Sequence, residues 1–203
     1  MGDVLVVPGG GGRARRIRQA VFIERDGSLN QARAGFSGRA SPLTMDEFRV
    51  NEEAIPLLKR LKAAGLLLIA TTNQPGLSRG QQSRRELDRM HDLLRATFDL
   101  DDLLLCPHDE AHPCFCRRPK PGLLVEAGFK WRLNLDLCYV VSDKWQDAEA
   151  ARAIGSTSLL VDSPWVGQVH RDFLGANLAA VVERILQMQG AQPLSRVQAS
   201  LTP

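Results

Sequence analysis

Long apolar runs are scarce in this 203-residue sequence. The longest, such as Gly65–Ala70, fall far short of the roughly 20 apolar residues that a membrane-spanning helix needs. A secretory signal is also lacking, because no apolar stretch follows the arginine cluster that begins at Arg13. We therefore expect a cytoplasmic protein without a membrane segment.

Net charge is nearly absent as well. Lys and Arg number 26 and Asp and Glu 23, which leaves a net charge of +3. Residues 1–19 hold four of the basic groups and one of the acidic ones, so the rest of the chain is balanced at 22 of each. That balance disfavours a basic nucleic-acid-binding body, although a basic arm remains possible. Residues 1–18 contain the run Gly9–Gly12 and no Gly-Lys-Ser/Thr after it, so we predict a flexible arm or leader rather than a phosphate-binding loop.

Cysteine is the third scarce feature, and three of the four cysteines crowd into eleven residues. In a reducing compartment such a cluster favours a metal site over disulfides. The pattern Cys106-x-His108-x₅-Cys114-x-Cys116 offers three thiolates and one imidazole, a donor set that suits tetrahedral Zn²⁺. His112 is a rival ligand. A closed set of four ligands would brace a loop rather than act on a substrate.

From residue 19 onward, short apolar runs alternate with amphipathic patterns. Continuous apolar runs indicate strands that are buried on both faces. The predicted strands are Ala20–Ile23, Leu66–Ala70, Leu103–Leu105, Leu137–Val141 and Ser158–Val161. The predicted helices run from Asn51 to about Ala64, Ser83 to about Phe98, Pro121 to about Lys130, Trp145 to Ile154 and Asn177 to Gln187. We expect Cys138 in the core, and His91 and His170 on helix or loop surfaces.

This alternation predicts an α/β protein with a three-layer Rossmann-like fold around a central parallel sheet. The fold would span residues 19–189, with no room for a large cap domain, and a loose tail would follow over residues 190–203. In such sheets ligands bind at the carboxyl ends of the strands, near the switch in strand order. Polar residues follow four of the predicted strands, in the segments 24–30, 71–76, 106–122 and 142–147. Carboxylates there could hold Mg²⁺, while cations and hydroxyls could hold phosphoryl oxygens.

The order of these segments resembles the haloacid dehalogenase-like phosphatases, most closely the branch with the D-glycero-D-manno-heptose bisphosphate and histidinol phosphatases. The resemblance covers roughly residues 19–165 and rests on Ala20–Asn30, Thr72–Gly80, Cys106–Gly122 and Val140–Asp147. It implies that Cys106, His108, Cys114 and Cys116 are structural zinc ligands. It also implies little or no cap domain, which leaves residues 31–48, with Arg33 and Arg39, as the only candidate for a specificity flap. Those two arginines could meet a second anionic group or could be solvated.

The first loop departs from the family pattern. The family carries an Asp nucleophile there and, two residues later, an Asp that acts as general acid and base. Asp26 matches the second, but Glu24 occupies the first position. A carboxylate nucleophile takes the phosphoryl group, and water then releases it. Glutamate can do this, yet its extra methylene adds about 1.5 Å of reach. A weakened enzyme, a rearranged active enzyme and an inactive sugar-phosphate binder all remain open.

The other roles follow from the resemblance. Thr72 would hold the phosphoryl group, and Arg118 stands where the family usually has a charge-balancing Lys, for which Lys120 could substitute. Asp143 would bind Mg²⁺ with Glu24 and the Asp26 carbonyl, and Asp147 would support the site from behind or simply be exposed. The implied substrate contacts are Ser28, Asn30, Asn73, Gln74, Arg117 and Lys144.

Together these residues predict a Mg²⁺-dependent sugar-phosphate phosphatase with a structural Zn²⁺. The favoured reaction removes the 7-phosphate of D-glycero-D-manno-heptose 1,7-bisphosphate through a carboxylate phosphoenzyme. Histidinol phosphate is an alternative substrate, which the short five-residue spacer between His108 and Cys114 leaves open. We expect a monomer whose partner is a small phosphorylated substrate, with nucleic acid as an unfavoured alternative.

Overall fold

The computed structural model describes residues 18–35 and 38–191. In chain order its elements are β1 (Ala20–Glu24), β2 (Arg33–Gly35), β3 (Gly38–Ala40), α1 (Ala54–Ala63), β4 (Leu67–Asn73), α2 (Arg84–Phe98), β5 (Asp102–Cys106), α3 (Gly122–Trp131), β6 (Tyr139–Ser142), α4 (Trp145–Arg152), β7 (Thr157–Val161), β8 (Phe173–Gly175) and α5 (Leu178–Ala191). No helix within these ranges combines the length and the apolarity that crossing a bilayer requires. The predicted basic arm lies outside the described residues except for Arg18, and the predicted tail lies outside them from residue 192.

Six parallel strands form the central sheet in the order β5-β4-β1-β6-β7-β8. Strand β1 lies inside the sheet and is fully buried, which is why its sequence is a continuous apolar run. Its side chains alternate between two cores. Val21 and Ile23 pack on the face covered by α1, α2 and α5, and Phe22 packs on the face covered by α3 and α4. The predicted three-layer fold is confirmed.

Several predicted boundaries were wrong. Strand β4 extends to Asn73 rather than Ala70, because its polar end stays paired with β5 as far as Cys106. Helix α1 begins at Ala54 without a side-chain cap, and the predicted cap Asn51 instead donates its side-chain amide to the Ser28 carbonyl at 3.1 Å. Ser83 does cap α2, accepting from the Glu86 backbone N–H at 3.1 Å.

Three short strands were not predicted from the sequence. Strands β2 and β3 form an antiparallel hairpin inside the predicted flap, and β8 forms the sheet edge beside β7. Arg33 pairs with Ala40 and Arg39 with Ala34 across this hairpin, and the structure describes the backbone of these arginines but not their side chains. The hairpin brings the segment that follows it to the carboxyl end of β1, where the predicted site lies.

Candidate active site

The site lies where the strand order changes direction. The chain runs from β1 to β4 and β5 on one side of the sheet and then returns to β6 on the other side of β1. Glu24 ends β1, Thr72 lies near the end of β4, and Asp143 directly follows β6. Parallel strands place these three side chains at one edge of the sheet, at the position where α/β proteins bind ligands.

Two cations hold the carboxylate of Glu24. Its Oε1 accepts from Arg118 Nη1 at 2.9 Å, and its Oε2 accepts from Lys144 Nζ at 2.6 Å. The Glu24 side chain is only 1% exposed, so these ion pairs are shielded from solvent. Charge-assisted hydrogen bonds of this kind are about twice as strong as neutral ones. The sequence places a carboxylate here, and the structure shows that both of its oxygens are engaged.

Three oxygens converge on the ammonium group of Lys144. Its Nζ lies 2.6 Å from Glu24 Oε2, 2.9 Å from the Asp26 carbonyl oxygen and 3.0 Å from Asp143 Oδ1. These are the three ligands that the resemblance implies for Mg²⁺. Two carboxylates and one carbonyl are hard oxygen donors, and Mg²⁺ is bound in proteins through one or two carboxylates with water or substrate completing the shell. The donor set therefore fits a divalent cation.

Asp26 is the most tightly held carboxylate in the described site. Its Oδ1 accepts from Arg25 (2.7 and 3.1 Å) and Asn30 (2.9 Å), and its Oδ2 accepts from Ser41 (2.8 Å) and Gln74 (2.8 Å). Burial alone would raise the pKa of Asp26, but the Arg25 charge and the hydrogen bonds from Asn30, Arg25 and Ser41 outweigh it and hold the pKa well below its ordinary value. Asp26 is consequently ionised in the resting site.

The turn after β1 depends on a glycine. Gly27 has φ +106°, a backbone conformation that residues with a Cβ rarely adopt. Its N–H donates to the Asn30 carbonyl at 2.8 Å, which closes the turn and points the Asn30 amide at Asp26. Asn30 is fully buried, so the structure places it as a support for Asp26 rather than at a surface that substrate can touch.

A cavity of about 480 Å³ lies beside these carboxylates and is lined by several of the residues that hold them. Asn73, Gln74, Arg117, Arg118 and Lys144 line it, together with Ser41 and Arg79. The Gln74 amide donates to both Asp26 and Thr72 Oγ1 (2.7 Å), so Thr72 belongs to the same hydrogen-bonded group. Cations and amides that line one cavity suit a phosphorylated ligand.

Two predicted residues lie elsewhere. Lys120 is exposed, and its Nζ donates to the Cys114 carbonyl at 2.6 Å, so the prediction that it could stand in for Arg118 is not supported by its placement. The buried Ser28 faces a neighbouring cavity of about 710 Å³ that it shares with Asp143 and Asp162. Arg118 supplies the cation instead, because its guanidinium reaches Glu24 directly.

Asp147 supports Arg118 from behind. Its Oδ2 accepts from Ser142 Oγ at 2.6 Å and lies 3.4 Å from Arg118 Nη1. Burial alone would lower the pKa of Arg118, but Asp147 and Glu24 raise it, so its charge is permanent. Of the two alternatives for Asp147, the supporting position is the one observed, one helical turn beyond Asp143.

His91 corrects an earlier expectation. It lies on α2 but is buried, not on the surface, and its Nε2 lies 3.1 Å from Arg25 Nη1. Arg25 is completely buried and also stacks on Phe48 at 5.9 Å. Burial, followed by the charge of Arg25, lowers the pKa of His91 to about 3, so the ring is neutral and its Nε2 accepts from the guanidinium. The arrangement fixes the guanidinium that holds Asp26.

The cysteine cluster forms a compact group beside the site. Sγ of Cys106 lies 3.7 Å from His108 Nδ1 and 3.9 Å from Cys114 Sγ, and His108 Nδ1 lies 3.3 Å from Cys116 Sγ. All four ligand atoms lie within 4.8 Å of one another. A tetrahedral Zn²⁺ with ordinary bond lengths requires ligand separations of about 3.5–3.8 Å, so the group fits zinc. His112 instead pairs with Asp109 at 2.6 Å.

The same loop positions two arginines. Arg117 donates to the His108 carbonyl at 3.1 Å and pairs with Glu110, which also pairs with Arg79. The loop closes on Gly122, whose N–H donates to the Phe115 carbonyl; a Cβ there would lie 2.4 Å from that oxygen. Bracing the cluster would therefore fix the approach of Arg117 and Arg118 to the cavity.

Known proteins share both the sequence pattern and the fold of this chain. The HAD-hydrolase-like family model matches residues 115–184. A D-glycero-beta-D-manno-heptose-1,7-bisphosphate 7-phosphatase from Pasteurella multocida is 31% identical over 147 residues, covering 67% of this chain and 77% of that protein. The Pseudomonas aeruginosa protein of the same name is 32% identical over 149 residues, covering 71% and 81%.

The solved structures agree. A crystal structure of D,D-heptose 1,7-bisphosphate phosphatase from B. bronchiseptica, complexed with magnesium and phosphate, superposes with a TM-score of 0.73. It is 27% identical, and the match covers 85% of this chain and 99% of the other. A crystal structure of a putative HAD-like phosphatase from Mesorhizobium loti is 26% identical with a TM-score of 0.68, covering 88% and 90%. The chain belongs to the haloacid dehalogenase-like phosphatase family.

Proposed function

We propose that this protein is a Mg²⁺-dependent phosphatase that removes the 7-phosphate of D-glycero-D-manno-heptose 1,7-bisphosphate. The observation that carries the proposal is the convergence of Glu24, the Asp26 carbonyl and Asp143 on one point, now filled by the ammonium of Lys144, beside Arg118 and next to a polar cavity. The names of the relatives and of the superposed structure support the same substrate. The reaction belongs to carbohydrate metabolism and would take place in the cytoplasm on a monomeric protein.

Glu24 is the proposed nucleophile. One carboxylate oxygen attacks phosphorus, the bond from phosphorus to the sugar oxygen breaks, and the phosphoryl group becomes an acyl phosphate on Glu24. Arg118 and Thr72 hold the phosphoryl oxygens while negative charge develops. Water then attacks phosphorus, inorganic phosphate leaves, and the Glu24 carboxylate is restored. A bound Mg²⁺, held by Glu24, Asp143 and the Asp26 carbonyl, would supply charge neutralisation for the phosphoryl oxygens.

Asp26 is the proposed general acid and base. It would protonate the departing sugar oxygen and then remove a proton from the attacking water. Arg25, Asn30, Ser41 and Gln74 hold it as a carboxylate in the resting site. An incoming phosphoryl anion would raise the pKa of Asp26 by like-charge repulsion, so the proton would arrive with the substrate.

The proposed zinc has a structural role. Cys106, His108, Cys114 and Cys116 form a closed set of four ligands, with no position left for substrate. Burial raises the pKa of the Cys106 thiol, and burial together with the neighbouring thiols raises the pKa of Cys116 to about 12. Without a bound cation these two sulfurs remain thiols, and metal binding would release their protons.

One observation favours a second candidate, a sugar-phosphate binder with little catalysis. Both oxygens of Glu24 are engaged in ion pairs, and a nucleophile must release one of them to attack. The two candidates share the cavity and differ only in whether phosphate is released.

A panel of sugar phosphates separates the candidates. The full-length chain with Mg²⁺ is given heptose 1,7-bisphosphate, heptose 7-phosphate and histidinol phosphate, and released phosphate is measured. We expect the fastest release from the bisphosphate and none from the matched Glu24→Gln variant, whose amide cannot be the nucleophile. Saturable binding without release would establish the binder, and preference for histidinol phosphate would correct the substrate.

A further inference from the structure

Lys144 lies in an unusual place for a substrate-binding residue. Its ammonium nitrogen contacts Glu24 Oε2 (2.6 Å), the Asp26 carbonyl (2.9 Å) and Asp143 Oδ1 (3.0 Å). These oxygens are the ones proposed above as ligands of Mg²⁺. The side chain is 17% exposed, so the ammonium group has limited access to solvent and relies on these acceptors.

The three acceptors match the chemistry of an ammonium group. Lysine has three N–H donors and no acceptor, and each donor here has an oxygen partner. Two of the partners are carboxylates, which makes those hydrogen bonds charge-assisted. A divalent cation bound by the same oxygens would lie within a few ångströms of the ammonium and repel it strongly. The two cations therefore compete for one position.

The competition between Lys144 and the divalent cation depends on Glu24, which stands where the family resemblance implies Asp. Its contact with Lys144 is the shortest of the three, and it uses the outermost atom of the longer side chain. The Asp implied at this position by the family resemblance would hold its carboxylate about 1.5 Å further back. Lys144 would then lose its closest partner, and the divalent cation would meet a weaker competitor.

We propose that Lys144 occupies the divalent-cation position in the resting protein and moves to the substrate's phosphoryl group when the cation binds. This inference rests on the magnesium site of the proposed function. Lys144 lines the same cavity as Arg117 and Arg118, so a modest change in its side-chain rotamers brings the ammonium toward a bound anion. Phosphate gives the displaced Lys144 a new partner, and by linkage each ligand strengthens the binding of the other.

The first test compares Mg²⁺ affinity in two proteins. Full-length wild type and Lys144→Met are dialysed free of Mg²⁺ without a chelator and titrated with Mg²⁺ alone in a calorimeter. If Lys144 fills the position in nine of ten resting molecules, its removal should tighten Mg²⁺ binding about tenfold, since apparent affinity scales with the competent fraction. Lys59→Met, which removes an exposed lysine from α1, is the matched control and should bind like wild type.

The second test uses wild type, where the charge of Lys144 is retained. It is needed because removing that positive charge in Lys144→Met would favour Mg²⁺ binding even if Lys144 and Mg²⁺ did not compete for one position. Wild type is treated briefly with an amine-acetylating reagent, and acetylation of Lys144 is measured by peptide mass spectrometry. Mg²⁺ should increase acetylation of Lys144 severalfold by releasing it from the three oxygens, and leave Lys59 unchanged. Inorganic phosphate added with Mg²⁺ should protect Lys144 again, and should tighten Mg²⁺ binding in wild type but much less in Lys144→Met.

The outcomes separate this inference from the proposed function. Absence of Mg²⁺ binding in both proteins would refute the proposed metal site, and the inference with it. Equal Mg²⁺ affinities would overturn the inference alone. A tighter Lys144→Met variant with Mg²⁺-independent acetylation in wild type would assign the gain to charge and would also overturn it. Neither measurement needs an active enzyme.

Discussion

Shortening Glu24 to aspartate is the most informative single change in the site. Glu24→Asp withdraws the carboxylate by about one carbon–carbon bond, or 1.5 Å. The Glu24 carboxylate oxygens now lie 2.9 Å from Arg118 Nη1 and 2.6 Å from Lys144 Nζ. With an unchanged backbone, the shorter aspartate would leave both cations well beyond hydrogen-bond distance of its carboxylate. The substitution therefore breaks two buried ion pairs and releases the nucleophile in one step.

Glu24→Asp should lower the stability of the protein and raise its phosphatase rate. Charge-assisted hydrogen bonds contribute about 1.5–3 kcal/mol each, and partial relaxation recovers some of the loss, so we expect a destabilisation of roughly 2 kcal/mol. In a chain of this size that lowers Tm by about 4–8 °C. The phosphatase rate should instead rise by on the order of 10²-fold, because a misplacement of about 1 Å in a reacting group costs that much.

The assay pairs thermal unfolding with phosphate release from heptose 1,7-bisphosphate at saturating Mg²⁺. Asp26→Asn in each background is the control, since removal of the acid and base should reduce the rate in both. A Glu24→Asp variant that is slower than wild type would exclude a misplaced nucleophile in wild type. It would show that the site is built around the longer side chain and that Glu24 is already well placed.

Three further predictions concern the surroundings of the site. The pKa of His91 is about 3 in the folded protein and 6.5 in the free side chain, so between these pH values the unfolded state binds more protons than the folded state. The free energy of unfolding should therefore fall as pH drops below about 6.5, by up to about 1.4 kcal/mol per pH unit. Chemical denaturation between about pH 6 and pH 4 should show a weaker dependence of this free energy on pH in His91→Gln, and an unchanged dependence would contradict the buried neutral ring. Cys114→Ser should reduce bound zinc, measured by elemental analysis, from about one per chain toward none, and retention of a full equivalent would count against the four-ligand site. Glu110→Gln removes the ion-pair partner of Arg79 and Arg117 at the cavity rim, so KM for the bisphosphate should fall severalfold. Tm should change by less than about 2 °C, because exposed ion pairs contribute little to stability. An unchanged KM would mean that these arginines do not contact the substrate.

The sequence predicted which strand ends meet, because the topology of a parallel sheet follows from strand–helix alternation. Glu24, Thr72 and Asp143 were placed at one edge on that ground. The pairing of individual cations was not predictable in the same way. Arg118 and Lys120 are two residues apart, yet one reaches Glu24 and the other reaches the Cys114 carbonyl. Local loop geometry decides this, and periodicity carries no information about it.

His91 was missed although a signal was present. Leu87, Met90, Leu94 and Phe98 form the buried apolar stripe of α2, and position 91 lies on the same stripe by its spacing of four from Leu87 and three from Leu94. A titratable residue on a buried stripe needs a partner, and that partner, Arg25, lies 66 positions away in the chain. Ser41 had no such signal, because it reaches Asp26 only through the unpredicted hairpin.

In the proposed reaction, Glu24 carries the phosphoryl group during turnover. The most direct test mixes the full-length chain with Mg²⁺ and heptose 1,7-bisphosphate, quenches with acid within one turnover, and locates phosphate by peptide mass spectrometry. We expect a phosphoryl group on Glu24, more abundant in Asp26→Asn, where hydrolysis is slowed, and absent in Glu24→Gln. Phosphate release by wild type with no phosphoryl group on Glu24 at any quench time would contradict it.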